Sequence, residues 1–233
     1  MPEVTATPRV RGEWRARIAA EYTSATITQS LGLWLMQVGA PPDLIDAAVV
    51  IVQDELVHSR MSHEVYVAAA GTDPPVLDRA RLGLVAAHPS LEADVLAVGV
   101  QTFCLNETIA VPLFRRLRER CTVASARAAL DRILVDEVRH RDFGWDLLDW
   151  MCQIDPQTPE KVSSMLPAML ELLTASYGGD NAVIARDDGS MTDDERAWGL
   201  APPREYAEIL ARTIEKEYVP RFAARGIVLD PKA

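Results

Sequence analysis

Two stretches decide how this chain is read: Asp54-Glu55-Leu56-Val57-His58 and Asp136-Glu137-Val138-Arg139-His140. Each places a glutamate three residues before a histidine. In a helix, positions three apart share a face, so each stretch aims a carboxylate and an imidazole at one point. Hard oxygen with some imidazole nitrogen suits iron and leaves a position for a further ligand. The chain has 4 histidines, and chance would supply roughly a quarter of one Glu-x-x-His at such a composition. Two occurrences, each led by Asp, are a specific signal.

Working outward, the motifs fall in the second and fourth of four long helical segments. Apolar residues recur at helical spacing from about Arg9 to Val38 (Trp14, Ile18, Ala25, Leu31, Leu35), and Gly39-Ala40-Pro41-Pro42 stops the run. Asp43 suits the N-cap of a second helix that reaches about Ala70 and closes at Gly71. With so few residues between them, the two helices should pack antiparallel. Gly71 to Pro89 is too long for a tight turn and can carry the chain from one end of a bundle to the other. Ser90 then caps a third helix, Leu91 to Arg120, and a break at Cys121-Thr122 leads into a fourth, Ala124 to Met151. Past Asp155-Pro156, helices over Pro159 to Tyr177 and Arg204 to Ala224 flank a polar loop, Gly178 to Pro203, read as a surface connection in preference to a lid. The expectation is an all-α single domain over 1–233. It comprises a four-helix bundle (9–153) with a long crossover between helices 2 and 3, and a C-terminal extension (154–233) with two additional helices.

A two-metal site in such a bundle needs one glutamate from each remaining helix. The third helix offers Glu107 within a very apolar stretch, where a carboxylate is costly unless paired or bound to metal. The first offers Glu21. Thirty residues separate Glu107 from Glu137 with the break midway, which brings them level across an antiparallel pair; thirty-four separate Glu21 from Glu55, a looser register. Asp54 and Asp136 are assigned to accept the other ring N–H of the opposite motif's histidine. Phe103 and Cys104 share the face of Glu107 and are candidates for lining a pocket, with core filling favoured. Pro112, one turn past Glu107, should bend or bulge the third helix.

This set of Glu21, Asp54-Glu55-x-x-His58, Glu107 and Asp136-Glu137-x-x-His140 resembles the ferritin-like di-iron carboxylate superfamily. That group includes bacterioferritin, ribonucleotide reductase small subunits, multicomponent monooxygenases, arylamine N-oxygenases and aldehyde-deformylating oxygenases. Asp136-Glu137-Val138-Arg139-His140 is similar to the monooxygenase signature Asp-Glu-x-Arg-His. Continued through Arg141-Asp142-Phe143-Gly144, it is also similar to the deformylating enzymes. The resemblance spans about residues 10–152. It implies two iron ions, with a manganese–iron pair suited to the same ligands. It also implies a non-haem di-iron oxygenase acting on dioxygen and a small organic substrate, with electrons from an external ferredoxin or reductase. The alternative is a ferroxidase of the bacterioferritin type; a third class is a bundle with a relic site and a binding role only. A monomer or homodimer is expected for the oxygenase and a many-subunit shell for storage.

Composition narrows the remainder. The net charge of -10 is spread along the chain, which argues against nucleic-acid and anionic membrane partners. No signal peptide pattern opens the chain, and no uninterrupted apolar run reaches the about eighteen residues of a span, so a cytoplasmic location is expected. Cys104, Cys121 and Cys152 fit neither a disulfide framework nor a zinc knuckle and are read as reduced thiols. His63, Glu64 and His88 are read as surface groups, Glu205, Glu208 and Glu215 as a solvated face, and Trp34, Trp145 and Trp150 as core.

Overall fold

Thr7 accepts a hydrogen bond from the Val10 amide, and Pro8 follows it with its backbone already set for a helix, so α1 runs Pro8–Gln37. The structure, a computed structural model, describes residues 4–177 and 191–229. Among these residues every regular element is helical. α2 spans Pro42–Ala68, and its cap is Pro41 where Asp43 was expected. Pro42 at the first helical position has no N–H to satisfy, which moves the start forward and leaves Asp43 in the first turn, favoured by the helix dipole. α3 (Leu91–Val98), a π-helical segment (Gly99–Glu107) and α4 (Thr108–Glu119) make up the expected third helix; α5 spans Ala124–Ile154. α6 (Thr158–Tyr177), α7 (Asp193–Ala197), α8 (Pro203–Thr213), a π turn (Ile214–Tyr218) and α9 (Val219–Ala223) complete the chain.

Both π segments lie just ahead of a proline, Pro112 or Pro220. Proline removes one ladder hydrogen bond and crowds the carbonyl four residues back, and a widened turn relieves that crowding. The distortion expected at Pro112 is therefore upstream of it and ends on Glu107.

The chain divides into two compact units. One is Met1–Leu91, Phe114–Asp136 and Met191–Ala201; the other is Glu92–Leu113, Glu137–Ser190 and Pro202–Ala233. Two of the breaks fall inside helices, one within α4 and one within α5. In the first unit α1 and α2 are antiparallel: Ser24 reaches Glu55 and Ser59 reaches Ile18, one number falling as the other rises. α2 and the first half of α5 are parallel, because Asp54 meets Arg132 and His58 meets Asp136 at the same sequence offset of 78. The segment between α2 and α3 lies along α1: Arg15 donates to the Pro74 carbonyl and Thr26 accepts from the Gly83 amide.

Residues 178–190 of the expected polar loop lie outside the described residues; the remainder is structured. Thr192 and Glu195 form a capping box that starts α7, and Glu195 also holds Thr7 and Arg9. Trp14 donates to the Trp198 carbonyl, and the Thr122 and Val123 amides both donate to the Ala197 carbonyl. These buried contacts, hidden behind a composition rich in Gly, Asp and Pro, tie the segment to α1 and the α4–α5 corner.

In the second unit the π segment meets α5 at backbone distance. A Cβ on Gly144 would lie 2.6 Å from Phe103, the Cys104 thiol donates to the Gly144 carbonyl at 3.2 Å, and Phe103 meets Phe143 edge-on. The Tyr218 hydroxyl donates to the Leu105 carbonyl at 2.6 Å, and Trp145 donates to Thr108 while packing against Phe222. The C-terminal helices thus brace the π segment.

Two expectations about burial need correction. Trp145 is buried, but Trp34 and Trp150 are half-buried. Glu208 and Glu215 are exposed, whereas Glu205 is buried. Burial pushes the Cys121 thiol up to about 11 and Cys104 higher still, leaving both unreactive. The stretch Leu91–Glu119 is apolar enough to cross a membrane, but 67% of its apolar window is buried inside the protein, as in a core helix.

The end of α2 also departs from expectation. Ala70, not Gly71, takes the left-handed conformation (φ 60°), with the Gly71 amide bonded to the Tyr66 carbonyl and the Ala70 amide to Val67. Gly71 is needed for space, since a Cβ there would lie 2.2 Å from the Tyr66 ring. Ala70 bears a strain of about 1–2 kcal/mol that glycine would not. Ala70→Gly is expected to raise stability by about 1 kcal/mol in chemical denaturation; an unchanged or lower midpoint contradicts this.

Candidate metal centre

α1 and α2 bring Glu21, Glu55 and His58 together in the first unit. One ligand atom from each lies within 4.8 Å of the others, and all three residues are buried. The imidazole Nδ1 faces the carboxylates, 3.5 Å from Glu55 Oε2 and 3.9 Å from Glu21 Oε2. Ser24, one turn from Glu21, donates to the other Glu55 oxygen at 2.8 Å and fixes that carboxylate's rotation. Glu21, whose register looked loosest, is part of the group.

The opposite edge of the His58 ring is held by Asp136, with Nε2 3.1 Å from Oδ2. Burial pushes the Asp136 carboxyl up, but hydrogen bonds from Arg132 and His58 outweigh it and hold the group below the usual carboxylate range. An ionised carboxylate only accepts, so Nε2 carries a hydrogen, and Nδ1 is the ring nitrogen that faces Glu21 and Glu55. Asp54 receives a hydrogen bond from Arg132 Nη2 at 3.1 Å, and the same arginine donates through Nε to Asp136.

The second unit repeats the pattern. Glu107 closes the π segment at 8% exposure, while Glu137 and His140 are buried on α5. His140 Nδ1 lies 3.7 Å from Glu137 Oε2, and its ring and the Glu107 carboxylate have ligand atoms within 4.8 Å. Each unit therefore supplies one lone glutamate and one Glu-x-x-His, and in each the imidazole Nδ1 lies within 4 Å of the glutamate three residues before it.

The donor set fits a divalent metal. Buried carboxylates converging on an imidazole nitrogen could hold such a cation, which would offset the repulsion between them. Phe103 and Cys104, the candidate pocket residues, are packed against Phe143 and Gly144 and fill core. His63, Glu64 and His88 are exposed. Arg132 is the residue that sequence reasoning missed. It lies one helical turn before Asp136, a spacing that also describes any ordinary surface ion pair.

Comparison of the chain with models of known protein families, with curated proteins and with solved structures finds no match. The functional reading therefore rests on the ligand groups themselves.

Asp136→Asn leaves the shape at His58 but removes the obligate acceptor. Divalent metal affinity, measured by titration of the metal-free protein, should fall about 10–100-fold with helix content unchanged. Equal affinity would show that Asp136 does not orient the ring.

Proposed function

We propose that the chain is a non-haem di-iron oxygenase of the ferritin-like four-helix-bundle type, with each ligand set holding one metal. The repeated set of a lone glutamate with a Glu-x-x-His, buried and turned through Nδ1 in both units, carries this reading. Glu21, Glu55 and His58 would hold one iron, and Glu107, Glu137 and His140 the other. Bound there, the pair would supply dioxygen reduction, using electrons from a separate donor such as a ferredoxin and its reductase.

The protein's part is to position and to exclude water. Asp136 keeps the His58 orientation, Ser24 keeps the Glu55 rotation, and Glu107 sits in a stretch whose apolar neighbours Phe103, Leu105 and Ile109 are each fully buried. Such surroundings favour a small apolar organic substrate over passing iron ions. The use of Tyr218 to brace the helix that carries Glu107 gives the C-terminal region a role within the fold that a storage-shell tail would not need.

The test is anaerobic ferrous loading followed by oxygen. About two irons per chain should bind, and oxygen uptake should rise when a donor and a panel of small apolar substrates are added. Glu107→Ala should bind about half the iron. Iron consumption with a growing ferric core in a many-subunit particle would assign a ferroxidase. Less than about one iron per chain would overturn the metal reading itself.

A further inference from the structure

We propose that Arg132 is a positioning residue for the metal centre, holding the one oxygen of Asp136 that orients His58. This inference rests on the metal reading above. Arg132 and Asp136 stand one turn apart on α5, and Asp54 and His58 one turn apart on α2. Two contacts cross between the parallel helices, from Arg132 Nη2 to Asp54 Oδ1 and from His58 Nε2 to Asp136 Oδ2. The fourth side closes the square, because Arg132 Nε donates to the same Asp136 Oδ2 that receives the histidine.

Two donors on one oxygen fix its place along both directions. Arg132 sets where Oδ2 lies, Oδ2 sets the ring, and the ring sets where Nδ1 points between Glu21 and Glu55. The guanidinium is suited to this because Nε and Nη2 diverge at a fixed angle and reach two carboxylates at once. A lysine ammonium is a single point charge and cannot hold that separation.

The burial pattern separates this arginine from a decorative surface pair. Its side chain is 45% exposed, whereas those of Asp54 and Asp136 are 7% and 2% exposed. Exposed ion pairs contribute little to stability. Here a half-exposed cation reaches inward to two buried anions on neighbouring helices, and losing it would leave like charges facing each other. The surface position also makes the guanidinium replaceable from solution.

The experiment is anaerobic cobalt(II) titration of metal-free wild type, Arg132→Ala, Arg132→Gln and Arg132→Lys, read by affinity and by the visible cobalt band. Both neutral variants should bind the first cobalt about tenfold or more weakly, with a shifted band, while retaining wild-type helix content. Lysine should restore affinity only in part. Guanidinium at non-denaturing concentration should restore both affinity and band in Arg132→Ala. Wild-type affinity and spectrum in the neutral variants would overturn the proposal, as would weakening with an unchanged band and no guanidinium rescue. Wild type that binds no cobalt would overturn the metal reading instead, so the two failures are distinguishable.

Discussion

A carboxylate taken from water into a helical core loses solvation worth several kcal/mol even after relaxation, and this chain incurs that cost repeatedly. Glu21, Glu55, Glu107 and Glu137 are each less than a tenth exposed, and His58 and His140 are fully buried. Packing alone gives no reason to accept such a cost, since apolar residues of similar size would fill the same positions. A bound metal ion would give one. The proposed metal would also give the surrounding contacts a use, because each ligand would need a fixed rotation: Ser24 bonds Glu55, Asp136 bonds His58, and Arg132 bonds Asp136.

The π segment has a related place in this arrangement. Nine widened residues end on Glu107, and they are gripped from two sides within their unit. Gly144 admits α5 to backbone contact, and Tyr218 holds the Leu105 carbonyl. A distorted helix carries its functional side chain reproducibly only when its neighbours over-determine it. The residues beyond Ile154, which looked like an appendage, supply part of that grip.

Much of this was legible in the sequence, for identifiable reasons. Helical spacing, prolines and glycines located α1, α2 and α5 closely, because these signals are local. The Glu-x-x-His pairs were legible because ligand spacing is also local. What escaped depended on tertiary contact. The capping box at Thr192 and Glu195 sits in a segment whose composition reads as loop. Ala70 carries the left-handed turn, while the glycine beside it gives room to the Tyr66 ring. Glu205 is buried on a helix whose other glutamates, Glu208 and Glu215, are exposed. Arg132 was invisible because only the packing of α2 against α5 distinguishes it from a surface ion pair.

The central claim is that the buried carboxylates and imidazoles exist to hold metal. Anomalous diffraction at the iron edge, from crystals of the chain reconstituted with ferrous ion, tests it most directly. The account predicts one peak beside His58 Nδ1 with Glu21 and Glu55, and a second beside His140 Nδ1 with Glu107 and Glu137. An iron-loaded crystal with no peak at either imidazole, or with iron only on surface carboxylates, would contradict it.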